Sequence, residues 1–254
     1  MSRRRFYAPP TAFDQGERAV RLATEEARHL RDVLRLKRGD EAFVFDGEGR
    51  EYRCRVEESR REGATLGIVE EVEPQRMESP LSLQLGVALL KSEKFDLVVQ
   101  KATELGVAHI IPVMTKFADV RIRDDADGER RVARWKRIAL EAAKQSGRAR
   151  LPEFSAPTPF ASFIESAPAG VLECRLFFSE REGCSLMEAL GRCAAQLKAV
   201  AALVGPEGGW ADEEIAQAQA SGWSIITLGG RTLRAETAAI AVVALLQHLR
   251  GDLR

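Results

Sequence analysis

Residues that build metal or disulfide frameworks are scarce in this 254-residue chain. Its four cysteines, Cys54, Cys174, Cys184 and Cys193, form no C-x-x-C pair, and its three histidines, His29, His109 and His248, stand far apart. The spacings of zinc sites are therefore missing, no disulfide scaffold is suggested, and four reduced, structural cysteines are expected. His29, inside the helical pattern "EEARHLRDVLRL", reads as structural. Long apolar runs are also missing. The longest, Ala238 to Leu246, has nine residues, against roughly 20 for a bilayer span. The opening "MSRRRFYAPPTAF" has positive charge but no apolar segment after it, so no secretory signal and a cytoplasmic location are expected.

Net charge is zero, with 38 basic and 38 acidic residues, yet the charges are unevenly spread. Residues 1–38 hold ten Lys/Arg and five Asp/Glu, a sum of +5; residues 39–75 hold five and eleven, a sum of −6. Residues 91–150 hold fourteen and nine, again +5. Two separate basic segments on a neutral molecule suit either contact with phosphates or a solvated mixed surface. The 45% hydrophobic and 30% charged content is that of a folded chain.

Apolar and polar residues alternate in "EAFVFDG", "EYRCRVEES" and "ATLGIVEEVE", as half-buried antiparallel strands require, which predicts a small β-barrel or sheet. The polar, proline-marked "EPQRMESPL" then separates a first domain, 1–74, from a second, 75–254. Beyond it strands and helices alternate. "LSLQLGVALL", "HIIPVM", "VLECRLFFS", "AVAALVG" and "SIITLG" read as strands. "EKFDLVVQKATELG", "ERRVARWKRIALEAAKQSG", "SLMEALGRCAAQL", a segment from Asp212 and "ETAAIAVVALLQHLR" read as helices. That rhythm predicts an α/β domain with a mostly parallel sheet. The last helix is apolar around most of its circumference, so it needs cover on several sides, from the core and a second subunit.

Two glycine-rich turns, "VGPEGGW" and "LGGRTLR", follow two of these strands, where ligands of parallel sheets bind. Neither has the spacing of a phosphate-binding loop. A single such turn is as often structural as functional; two, about 25 residues apart and followed by "TLRAETA", can form two walls of one pocket.

"KSEKFDLVVQKATELGV", "EAAKQSGR", "LVGPEGGW" with Glu214 after it, and "LGGRTLRAETA" resemble, in order and spacing, the motifs of the RsmE family. "RRFY", "HLRDVLRLKRGD" and "FDGEGREY" are similar to that family's PUA-like domain. Members are small-subunit rRNA uracil-N3 methyltransferases of the SPOUT superfamily. The resemblance implies an α/β fold: a trefoil-knotted, mostly parallel sheet with helices on both faces, plus a small N-terminal PUA-like β-barrel that binds RNA. It further implies S-adenosylmethionine as cofactor, no metal, a homodimer through the knotted domain, and methylation of a uracil-1498-type site in 16S rRNA. Other readings are a related methyltransferase acting on another RNA, or a non-enzymatic RNA-binding or ribosome-assembly protein.

By the same resemblance Leu203, Val204, Gly205, Pro206, Glu207, Gly208 and Gly209 hold the cofactor from one turn. Leu228, Gly229, Leu233, Arg234, Thr237 and Ala238 hold it from the other. Glu207 and Glu236 are candidate bases for the N3 proton; Arg234 and Arg148 are candidates to stabilise the uracil anion or grip a phosphate. Glu236 and Arg148 also fit plain helix-end roles. Arg3, Arg4, Arg5, Arg31, Arg35, Lys37 and Arg38 are the expected phosphate contacts. The chain departs from the family at Ala211, where a Ser or Thr cap is usual, and at Lys116, Phe117 and Ala118, which replace a Glu-Arg-Ser or Glu-Arg-Cys motif. Arg121 or Arg123 is then the expected substitute for the missing arginine.

Overall fold

The structure, a computed structural model, describes residues 3–14, 16, 18–166, 174–181, 183–194 and 197–253. Contacts divide the chain into two compact units, Met1–Glu78 with Leu140–Leu151, and Ser79–Ala139 with Pro152–Arg254.

In the first unit the strands are β1 (Arg5–Tyr7), β2 (Phe13–Asp14), β3 (Ala19–Leu22), β4 (Glu41–Phe45), β5 (Glu51–Ser59) and β6 (Ala64–Val72). They form one mixed sheet in the order β1-β4-β5-β6-β3-β2, with β1 parallel to β4 and the other pairs antiparallel. The alternation read from the sequence decides what points inward: Val44, Tyr52, Cys54, Val56 and Leu66 join Phe6, Val20 and Leu30 in the core. A short helix α1 (Thr24–Arg28) continues as a π-helical turn, His29–Val33. The His29 ring packs edge-on against Phe6 at 6.0 Å, the structural role expected of it.

This unit also contains a buried carboxylate. Glu51 is 0% exposed; Oε1 accepts from Arg3 at 3.1 Å and Oε2 from Arg5 at 3.2 Å and the Gln75 N–H at 3.0 Å. Arg5 also donates to the carbonyls of Ala143, Lys144 and Arg148, at 3.3, 3.3 and 2.8 Å. All three lie at or just past the end of a helix, where cations are well placed, and the Ala143 carbonyl also accepts the Gly147 N–H at 3.0 Å. This corrects the expectation for two of the amino-terminal arginines. Arg5 is buried and holds backbone, and Arg3 is half-buried against Glu51 and the Phe43 ring, whereas Arg4 between them is exposed.

The second unit contributes β7 (Ser82–Ala88), α2 (Ser92–Glu104), β8 (His109–Met114), β9 (Glu153–Phe154), β10 (Thr158–Pro159), α4 (Phe160–Ser166) and β11 (Cys174–Phe178). Helix α3 (Asp125–Ser146) precedes β9. After β11 come α5 (Leu186–Gly191), β12 (Ala199–Val204), α6 (Asp212–Ala220), β13 (Ser224–Ile226) and α7 (Ala235–Arg250). Residues 171–173 of the expected strand, and Ala195 and Gln196 of the expected helix, lie outside the described residues. The sheet order is β10-β8-β7-β12-β11-β13, with β9 beside β8, and every pairing is parallel.

Successive residues of β12 point to opposite faces. Val200, Ala202 and Val204 enter one core, with residues of α2 and α7, while Ala201 and Leu203 enter a second, with Phe163, Trp210 and Trp223. A strand covered on both faces reads as a continuous apolar run, as "AVAALV" does. On α7, Ala235, Ala239, Val242, Val243, Leu246 and Gln247 are buried, but Leu245 is 39% exposed. One chain thus covers only a stripe of this apolar helix.

The expectation of four reduced cysteines is corrected: Cys174 and Cys193 form a disulfide, with Cα atoms 5.7 Å apart. The fold returns the segment after α5 to the start of β11, a proximity that a separation of 19 residues does not announce. Cys54 is free, and burial pushes its thiol up to about 12. Among the described residues no helix is long and apolar enough to cross a membrane, and no His/Cys/Asp/Glu cluster can hold a metal.

Arg5→Ala should remove the more buried of the two arginine partners of Glu51, together with three contacts to main-chain carbonyls, and lower stability in urea denaturation by about 3 kcal/mol. An unchanged midpoint would contradict the role given to this pair. A second expectation concerns His109, whose burial lowers its pKa from 6.5. The folded state then binds fewer protons than the unfolded state just below pH 6.5, so stability should fall as pH drops through that value. His109→Gln should flatten this dependence in thermal melts between pH 7 and 5.

Candidate functional site

The carboxyl ends of β11, β12 and β13 and the loops after them enclose a cavity of about 670 Å³. That is the size of a small-molecule site at the usual edge of a parallel sheet. Its first wall is the turn after β12. The N–H of Gly209 donates to the Pro206 carbonyl at 3.1 Å, closing the turn. Two of its glycines have no room for a side chain. A Cβ on Gly205 would stand 2.7 Å from the Trp210 indole, and one on Gly208 2.9 Å from the Phe117 carbonyl oxygen. Gly209 has φ +71° and faces the Glu180 carboxylate.

Trp210 fastens that wall to the neighbouring strand. It is 1% exposed, its Nε1–H donates to the Phe178 carbonyl at 2.8 Å, and its ring lies 4.3 Å from that of Phe177. Arg181 adds a second tie by donating to the Trp210 carbonyl at 2.7 Å and pairing with Asp212. At the start of α6 the Glu214 carboxylate accepts from the Ala211 N–H at 3.1 Å and the Lys116 N–H at 2.9 Å. Alanine has no oxygen to return the bond, so only half of a capping box exists, as the departure at Ala211 implied.

Residues 227–235 make the facing wall. Gly229 and Gly230 have φ of +68° and +72°, and nothing stands near the position of a Cβ on either. At the start of α7, Ala235 and Ala238 line the cavity and Arg234 is exposed at its edge. Glu236 lies in the first turn of α7; its Oε2 is buried and has no hydrogen-bond partner among the described residues.

Of the thirteen cofactor residues expected from the sequence, eleven line this cavity. Leu203 is instead wholly buried in the second core, and Thr237 faces away, exposed. Glu207 is on the wall but paired with Lys94 of α2. Arg148 does not line the cavity: it is 5% exposed, in the first unit, with its guanidinium on Glu78 at 2.7 Å. Arg121 donates to the carbonyls of Thr115 and Lys116, at 3.1 and 2.9 Å, and Arg123 pairs with Asp127. The wall that sequence reasoning missed is Phe178, Ser179 and Glu180, the end of β11. Its only signal was the polar "SE" that ends the apolar "LFF".

Comparison with known proteins gives this cavity a context. Residues 77–247 match the RNA methyltransferase domain family, and residues 22–69 match the RNA methyltransferase PUA domain family. Ribosomal RNA small subunit methyltransferase E of a Synechocystis strain is 34% identical over 92% of this chain and 74% of its own length. The chain belongs to the ribosomal RNA small subunit methyltransferase E family. Two solved structures extend the likeness over the full length of both chains. The Neisseria gonorrhoeae methyltransferase E, bound to S-adenosyl methionine, has 32% identity and a TM-score of 0.86. A putative methyltransferase from Legionella pneumophila, in complex with the bound cofactor SAM, has 32% identity and a TM-score of 0.88. Like those two, this methyltransferase E chain has an α/β fold, here with a mixed amino-terminal and a parallel carboxy-terminal sheet.

Gly205→Leu should displace the Trp210 indole and collapse the first wall. Calorimetry with S-adenosylmethionine should then detect no binding, while amide hydrogen exchange in β4–β6 stays as in the unsubstituted protein. Retained binding would mean that this turn does not form the cofactor site.

Proposed function

We propose that this methyltransferase transfers the methyl group of S-adenosylmethionine to N3 of a uridine in 16S rRNA, at a site of the uracil-1498 type. The observation that carries the reading is the pairing of two main-chain walls, Gly205–Gly209 and Leu228–Leu233, with Arg234 continuing the second; Glu236, in the first turn of α7, does not itself line the cavity. The cavity fits the cofactor in size and in having glycine-lined walls that expose main-chain groups to a flat ring. When bound, S-adenosylmethionine supplies a methyl group already activated by its sulfonium, so no metal has to act.

The chain's own residues have two tasks, to orient the uracil and to manage its N3 proton. A neutral imide nitrogen is a poor nucleophile. Glu236 is the candidate to take the proton once substrate reaches it; its buried Oε2 has no hydrogen-bond partner among the described residues. Arg234, exposed at the cavity edge, stabilises the negative charge that develops on the ring oxygens. Glu207 is left with a holding role, because its pairing with Lys94 ties the first wall to α2. Arg148, committed to Glu78, ends a helix rather than touching substrate.

The amino-terminal domain, 1–74, as a PUA-like barrel, contributes RNA affinity through the exposed Arg4, Arg35, Lys37 and Arg38. Arg31 is less available, being paired with Asp32 at 2.7 Å. The second domain, 75–254, is knotted; support is the strand order, in which β13 lies beside β11 rather than beside β12. It forms a homodimer through α7, whose exposed Leu245 and half-covered Ala241 need a partner. The enzyme works on small subunits in the cytoplasm.

Mass-spectrometric nucleoside mapping of 16S rRNA from cells with and without the gene should differ by one N3-methyluridine; identical maps would refute the assignment. With purified small subunits, Glu236→Gln should keep cofactor affinity and lose about 10²- to 10⁴-fold in kcat. An undiminished kcat would return Glu236 to a helix-end role.

A further inference from the structure

The segment after β8, Thr115 to Ala118, is held from several directions. Ala118 N–H donates to the Thr115 carbonyl at 3.4 Å, and the Arg121 guanidinium binds the carbonyls of Thr115 and Lys116. Lys116 N–H is taken by the buried Glu214 carboxylate at 2.9 Å. Thr115 and Ala118 are themselves buried, at 2% and 4% exposure. Yet Phe117, between them, is 44% exposed. Among the described residues it is the one aromatic among the large apolar side chains left open. Its carbonyl oxygen and Cβ lie 2.9 and 3.0 Å from where a Gly208 side chain would begin, so it stands against the outer side of the cavity's first wall. It does not line the cavity.

A phenyl ring open to water on a braced backbone is a poor way to stabilise a fold and a good way to receive a flat partner. Stacking on it costs little ordering of the chain, because the backbone is already fixed. Its surroundings fit a nucleic acid. Lys116 Nζ lies 5.7 Å from the ring centroid and pairs with the exposed Glu213 at 3.2 Å. An exposed pair of that kind contributes little, so the ammonium can exchange Glu213 for a phosphate.

We propose that Phe117 is a positioning residue that stacks on an unpaired base adjacent to the methylated uridine, with Lys116 on the neighbouring phosphate. This rests on the reading of the cavity as an RNA methyltransferase site. Stacking of this kind is tolerant of base identity and relies on the π-face of the ring. Phe117 thus steadies the strand at the cavity edge while the target base enters.

Four measurements test it together on the full-length protein: KM and kcat for small subunits, cofactor affinity, fluorescence anisotropy with a labelled unpaired RNA oligonucleotide, and light scattering. Phe117→Leu keeps apolar bulk but loses the aromatic face. It should raise KM and the oligonucleotide Kd by about tenfold or more, with cofactor affinity and oligomeric state unchanged. Phe117→Trp should restore both to within about threefold. The proposal is overturned if Phe117→Leu equals the unsubstituted protein, which makes the ring ordinary apolar cover. It is equally overturned if the variant dissociates the oligomer, which makes the ring a subunit contact, or weakens the cofactor, which makes it cavity packing. Should the unsubstituted protein methylate no RNA, the functional reading fails by itself, and the oligonucleotide measurement still decides whether Phe117 stacks.

Discussion

The close approach of the Trp210 indole to the main chain at Gly205 organises the second unit around its cavity. The ring fills the volume that any side chain at Gly205 would need, so the turn can fold back only because that residue is glycine. Folding back brings the indole N–H to the Phe178 carbonyl and the ring onto Phe177, which locks the end of β12 to the end of β11. Two more glycines are then confined by Phe117 and Glu180. A wall made of backbone results, on a rigid sheet edge, with the start of α7 opposite.

The first unit obeys a different constraint. It holds a carboxyl group, Glu51, that is fully withdrawn from water. Burying a carboxylate is costly unless it is paired and hydrogen-bonded, and here two arginines and an amide share that work. Arg5 then spends its remaining donors on main-chain carbonyls 138 to 143 residues away in sequence. A local pairing of charges thereby fixes a long-range backbone arrangement.

Much of this was legible in the sequence, for physical reasons. Period-two alternation in 41–72 and the apolar run 199–204 report on one-sided and two-sided burial, and the strands β4, β5, β6 and β12 follow from them. Glycines at 205 and 208 marked the first wall because a side chain has no room there, and those at 209 and 229 because their φ is positive. What stayed hidden depends on partners distant in the chain. "RRRF" looks like a phosphate-binding arm until Glu51, 46 residues on, is seen beneath Arg5. The Cys174–Cys193 bond has no spacing signature, and Phe178 to Glu180 carry no glycine to betray their exposure to the cavity. Arg148 has the composition of an anion grip, and its commitment to Glu78 is visible only in three dimensions.

The placement of the tryptophans has an optical consequence. Trp135, Trp210 and Trp223 are the chain's three indoles, all belong to the second unit, and none is more than 3% exposed. The first unit, with Tyr7 and Tyr52 as its tyrosines, is nearly dark when excitation is confined to the red edge of the indole band. Emission of the native protein therefore comes from water-excluded rings, and one of the three emitters stands in the wall of the cavity itself. The molecule carries its own luminescent label on the unit that contains the cavity, and an unlabelled background in the other.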